Sequence, residues 1–142
     1  MTFLWKYSNK LPNPIWFIPL VVLFTLIIGV SFARAETLTA SWYSVASLKK
    51  EGTFKYSKGV MANGKLFKDE AFTCATRDFK LGETLKITSI SSGKSVVCEV
   101  TDRISKRFKG KRIDLSRSSM EAIGGKQALI QGLIKVKVER MD

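Results

Sequence analysis

Histidine is absent from this 142-residue chain. That removes the side chain most often used to move protons near neutral pH. With no paired-cysteine motif either, no metal-ligand pattern is present, and neither a metal nor a cofactor is expected. Cysteine is scarce, with Cys74 and Cys98 alone in the chain. No cysteine directly follows the apolar N-terminal stretch, which excludes lipid attachment there. Acidic residues are few, 12 against 24 Lys and Arg, for a net charge of +12. That excess favours a partner of negative charge. No internal repeat, linker or low-complexity stretch interrupts the chain after its N-terminal segment, so one domain is expected there.

The first 35 residues have the three zones of an export signal. Lys6 and Lys10 form a positive head, residues 15–30 are almost unbroken apolar sequence, and Ala33-Arg34-Ala35 offers small residues at the positions a signal peptidase reads. Cleavage after Ala35 is the expectation, giving a periplasmic or secreted protein. The alternative is an uncleaved membrane anchor over residues 15–32, just short of the roughly 20 apolar residues a spanning helix uses. Residues 1–35 hold Lys6, Lys10, Arg34 and no acid. Removing those three basic residues leaves 21 against 12 acidic ones over residues 36–142, a net charge of +9. Export bears on the cysteines too. In an oxidising compartment a Cys74–Cys98 bridge is favoured, worth about 3 kcal/mol for a loop of this length; two buried free thiols are the alternative.

Past residue 35 the pattern is mainly β. Residues 37–45, 71–77, 84–90, 95–101 and 133–139 are rich in β-branched and aromatic side chains, with turns at Asn63-Gly64 and Ser91-Ser92-Gly93. Ile134, Val136 and Val138 alternate with Lys135, Lys137 and Glu139, one dry face against one wet. One helix is predicted after the short run Arg112-Ile113-Asp114-Leu115, with Ser116 as its cap, Met120 and Ile123 facing the core, and Gly124-Gly125 ending it. A barrel with one or two short helices fits this pattern.

Without histidine, carboxylates are the natural proton carriers, and those at strand ends beside turns come first. Asp102 ends a strand and precedes a basic loop; Asp114 precedes the helix cap. For Asp102 a groove-facing acid and an ion pair with Arg103 or Arg112 both remain open. For Asp114 the plain alternative is a hydrogen bond to the loop or the helix N-terminus.

Blocks along the chain resemble, in order and spacing, those of the RlpA-like double-psi β-barrel. They are Thr39-Ala40-Ser41-Trp42-Tyr43, Met61-Ala62-Asn63-Gly64, Phe72-Thr73-Cys74-Ala75-Thr76 with Leu81-Gly82, Gly93-Lys94-Ser95-Val96-Val97, Val100-Thr101-Asp102-Arg103 and Arg112-Ile113-Asp114-Leu115-Ser116. The resemblance implies a mainly β fold, a six-stranded double-psi β-barrel over residues 36–142. It also implies action on peptidoglycan glycan strands, either as a lytic transglycosylase leaving 1,6-anhydro ends or as a non-catalytic, expansin-like module that binds polysaccharide or loosens the wall. Peptidoglycan or another anionic wall polysaccharide is the expected partner, nucleic acid is not, the membrane enters only if the N-terminal segment stays uncleaved, and a monomer is expected.

The resemblance assigns Asp102 as the acid/base, with Asp114 and Thr76 assisting. Trp42, Tyr43, Asn63, Lys65 and Arg103 are the candidate substrate contacts, with Lys68 and Arg77 as further donors. Alternation sends Trp42 and Tyr43 to opposite faces, so one of them is expected to touch ligand. Three positions depart from the pattern: Lys65 stands where active members commonly have an acid, Thr76 where they have histidine, and Ile104-Ser105 where Gly-Pro is usual. The loop over 103–112 holds six basic residues, serving either as a solvated loop or as a contact for wall polymers.

Overall fold

The computed structural model describes residues 34–141. The export segment, its apolar run and the alternative anchor lie outside the described residues, except Arg34 and Ala35, which are exposed and belong to no strand or helix. Among the described residues no helix is long and apolar enough to cross a membrane.

Six strands follow one another: β1 (Glu36–Tyr43), β2 (Thr73–Ala75), β3 (Thr84–Ser89), β4 (Ser95–Asp102), β5 (Arg112–Ser116) and β6 (Ile134–Met141). They close into a barrel in the order β1-β5-β2-β4-β3-β6. The β1/β5 and β2/β4 pairs are parallel and the other neighbours antiparallel. Period-two alternation explains the interior. Leu38 and Ala40, Leu85 and Ile87, Val96 and Val100, Ile113 and Leu115, and Val136 and Val138 all point inward and are buried. Each large aliphatic side chain buried there contributes about 1.5–3 kcal/mol.

Among the described residues three helices are present rather than one or two: α1 (Val45–Lys50), α2 (Thr53–Ser57) and α3 (Arg117–Gln131), with a 3-10 turn over Lys106–Phe108. The first strand stops at Tyr43 because Ser44 starts a helix. Its side chain accepts from Ser47 N while Ser47 Oγ accepts from Ser44 N, a reciprocal cap. On α3, Ser116 is the cap as expected, accepting from Ser119 N, and Met120, Ile123 and Ala128 pack into the barrel core. As expected, the first helical run ends at Gly124-Gly125: Gly125 is non-helical (φ 63°, ψ −164°), and beyond this kink a second run, unforeseen from sequence, continues to Gln131. Gly124 lets the two halves meet, since a Cβ there would lie 2.3 Å from that of Ala128.

The Cys74–Cys98 bridge favoured from the sequence is not formed. Both are free thiols in the core. Cys74 Sγ donates to the Glu99 carbonyl at 3.5 Å. The Cys98 thiol, then burial, hold the Cys74 thiol well above its ordinary range.

Candidate functional site

The alternation that sends Ala40 and Ile113 into the core turns Ser41 and Asp114 to the outside of the barrel wall. Strand register then sets one level across four strands. Ser41 on β1 faces Asp114 on β5, Asp114 faces Ala75 on β2, and Ala75 faces Asp102 at the end of β4. A register shift between Cys74 and Ala75 brings Asp102 to that level. The two aspartates therefore stand two strand spacings apart, roughly 10 Å along the wall. They line a groove of about 750 Å³. Trp42 and Tyr43 also line it, together with Leu48, Glu51 and Thr53 of the α1–α2 segment and Arg103, Ile104, Ser105, Arg107 and Phe108 of the following loop.

Asp114 is half-buried, and its Oδ1 accepts a short hydrogen bond from Ser41 Oγ. Burial pushes its pKa above the ordinary carboxylate value, opposed by the Ser41 bond and the Arg112 charge, while the Glu51 charge adds a smaller upward push. Asp102 is held differently. Its Oδ1 accepts from the backbone N–H of Ala62 at 3.0 Å and of Arg103 at 2.8 Å, which pins the Met61–Lys65 turn to the end of β4.

Tyr43 turns its ring onto Phe67, with centroids 4.5 Å apart, and its buried hydroxyl has no hydrogen-bond partner. Burial, then the Asp102 charge, push that hydroxyl well above its ordinary pKa. Trp42 is tied from the other face of β1, its Nε1 donating to the Leu129 carbonyl of α3 at 3.2 Å. Both aromatics reach the groove, although alternation separates them.

Of the residues picked out from sequence, Asp102, Asp114, Trp42, Tyr43 and Arg103 converge on the groove. Thr76, Asn63 and Lys65 are not among its lining residues. Thr76 is fully buried, its Oγ1 accepting from Asp78 N at 3.1 Å. Asn63 Oδ1 accepts from Lys65 N at 3.0 Å, which shapes the turn, and Lys65 is exposed. Arg103 Nη1 donates to the carbonyls of Thr76 at 2.7 Å and Phe79 at 2.5 Å, so it clasps two loops. Arg77 similarly donates from Nε to the Ile104 carbonyl at 2.5 Å. Ser41, Glu51 and Phe108 were not singled out from sequence, and Arg107 only as one of the six basic residues of the 103–112 loop. Ser41 meets Asp114 only through the β1/β5 register, which local sequence does not show, and Glu51 had no signal because it caps the end of the unforeseen α1. Among the described residues no cluster of three or more His, Cys, Asp or Glu side chains could hold a metal ion.

A closed six-stranded barrel with two parallel strand pairs and a carboxylate-lined groove on its outer wall is a double-psi β-barrel. The same fold is seen in the Streptomyces papain inhibitor (TM-score 0.57, 14% identity, 77% of this chain and 96% of that one). It is seen again in a mutant expansin of Clavibacter michiganensis solved in complex with cellohexaose (TM-score 0.54, 18% identity, 77% of this chain and 51% of that one). More particularly, the chain is similar in sequence to RlpA proteins over most of its length. It is 36% identical over 105 residues to the endolytic peptidoglycan transglycosylase RlpA of Rickettsia bellii, an alignment covering 73% of this chain and 41% of that protein. The chain spans less than half the length of the RlpA proteins it matches. No family model matches it.

Proposed function

We propose that the protein is exported and cleaves peptidoglycan glycan strands as a lytic transglycosylase, with Asp114 as the proton carrier. One observation carries this assignment: a half-buried carboxyl group, raised in pKa and fixed by Ser41, opens onto a groove beside a second aspartate. The similarity to proteins named as endolytic peptidoglycan transglycosylases supplies the substrate class. That an expansin sharing this fold was solved in complex with cellohexaose supports a glycan as the class of ligand. Export is supported by the sequence of residues 1–35 and by the start of β1 at Glu36, immediately after the expected cleavage site.

The chemistry needs one carboxyl group acting twice. Protonated Asp114 gives its proton to the leaving glycosidic oxygen as the C1–O4 bond breaks. The 6-hydroxyl of the same muramic acid then bonds to C1, and its proton returns to Asp114. No water is consumed and a 1,6-anhydro end results. Asp102 is a positioning residue in this scheme: its Oδ1 is committed to backbone N–H groups and holds the Met61–Lys65 turn. This reassigns the leading role given to Asp102 from sequence.

The test is incubation of the purified protein with isolated glycan strands and mass spectrometry of the soluble products. Anhydro-muramyl ends that disappear in Asp114→Asn support the proposal. Retention on glycan without any release would instead make the barrel an expansin-like binding module, and undiminished cleavage by Asp114→Asn would remove Asp114 from its role.

A further inference from the structure

The basic wall of the groove is more ordered than a solvated loop. Gly110 N donates to both carboxylate oxygens of Asp78 at 2.9 and 3.0 Å, Arg77 holds the Ile104 carbonyl, and Ile104 itself is buried. On this frame the Phe108 ring carries two guanidinium groups, Arg107 at 4.6 Å and Arg112 at 4.2 Å from its centroid. Among the described residues neither arginine has a carboxylate within ion-pair distance. Stacking occupies the face of a guanidinium and leaves its N–H edge free for a planar, two-oxygen acceptor. All three residues line the groove. Arg112 stands two residues before Asp114 on the same outward face of β5, roughly 6–7 Å along the strand. That is about the span of one sugar ring.

We propose that Arg107 and Arg112, held over Phe108, form a carboxylate subsite that takes the acidic group of the glycan beside the bond being cut. The proposal rests on the peptidoglycan assignment above. Muramic acid carries a lactyl ether whose carboxyl group is free where no stem peptide is attached and amide-linked where one is; the peptide then brings carboxylates of its own. Arg103 is not part of the subsite, since its Nη1 is committed to two carbonyls.

The experiment uses the full chain, expressed for export and purified in the form the host yields. Calorimetric titration at constant ionic strength compares three tetrasaccharides: alternating N-acetylglucosamine and N-acetylmuramic acid with free lactyl groups, the same with stem peptides, and neutral, fully N-acetylated chitotetraose. The wild type is expected to bind an acidic ligand about tenfold or more tightly than chitotetraose. The double variant Arg107→Gln/Arg112→Gln is expected to bind both at the neutral level, and Arg107→Lys/Arg112→Lys, with charge but no fork, to keep part of the preference. Preference for the free-lactyl ligand assigns the carboxylate to muramic acid; preference for the peptide-bearing ligand alone assigns it to the stem. If the double variant does not fold, Arg107→Gln, at an exposed position, reads the same difference. Equal wild-type affinity for acidic and neutral ligands, or a preference that survives in a folded double variant, overturns the subsite. Cleavage of glycan without charge preference overturns the subsite alone, whereas failure of the wild type to bind or cleave any glycan overturns the peptidoglycan assignment and the subsite with it.

Discussion

Arg103 lines the groove, where it was expected to touch substrate, and it also clasps two loops, a structural role that can be measured. Its Nη1 donates to the carbonyls of Thr76 and Phe79, tying the segment after β2 to the segment after β4. A hydrogen bond from a charged donor contributes about 1.5–3 kcal/mol, and partial exposure of the guanidinium holds both bonds at the low end. Arg103→Met keeps the aliphatic stem and removes both bonds, for an expected loss of about 3 kcal/mol. That is a large share of the roughly 5–15 kcal/mol that holds a domain together. With a urea slope of about 1.5 kcal/mol per molar, the unfolding midpoint falls by about 2 M. Arg103→Lys, able to reach one carbonyl, is expected to fall by about half as much. Tryptophan fluorescence in a urea titration of the full chain reads both. An unchanged midpoint combined with lost glycan binding would refute the clasp and restore Arg103 as a substrate contact.

Asp114→Asn is expected to lower glycan cleavage by about 10²–10⁴-fold, the usual worth of a general acid. The same change is expected to stabilise the fold near neutral pH. A carboxyl group with a raised folded pKa contributes stability fully below its unfolded pKa and loses it as pH rises through the folded value, a loss that asparagine, which does not titrate, avoids. Thermal unfolding at about pH 7 and about pH 3 checks the sign, with the advantage of the variant shrinking in acid. Gly124→Ala, a change that usually stabilises a helix by about 1 kcal/mol, is expected to cost about 1–3 kcal/mol instead, because the new Cβ meets that of Ala128 at 2.3 Å. Calorimetric melting decides the sign. Alkylation followed by mass measurement is expected to label neither cysteine in the native chain and both once it is unfolded; no label after unfolding would show a bridge.

Much of the barrel was legible because five of its strands lie in stretches rich in β-branched and aromatic side chains, several of them alternating, and the sixth lies in the run Arg112-Ile113-Asp114-Leu115. Local pattern sufficed where a strand is half wet, as in β6, or where a side-chain cap is strong, as at Ser116. It failed after Tyr43, where Val45, Ala46 and Leu48 read equally well as strand or helix and the deciding bond comes from Ser44 and Ser47. The site was half legible for a similar reason. Asp102 and Asp114 could be picked by chemical type, but their ranking depends on which one is paired with Ser41 and which with the N–H groups of Ala62 and Arg103. Those pairings are set by register between strands distant in sequence. Lys65 and Asn63 were placed near substrate by their position in a motif, whereas the turn they form is spent on pinning Asp102.

The level that joins Ser41, Ala75, Asp102 and Asp114 has a consequence for when the molecule can act. Its members come from β1, β2, β4 and β5, so no single hairpin or nascent fragment contains the groove, and closure of the barrel is what creates it. An unfolded chain therefore carries no groove. Under the export and glycan cleavage proposed above, cutting capacity would emerge only with the final strand pairing, on the far side of the membrane, making the topology itself a safety catch for the cell that makes the protein.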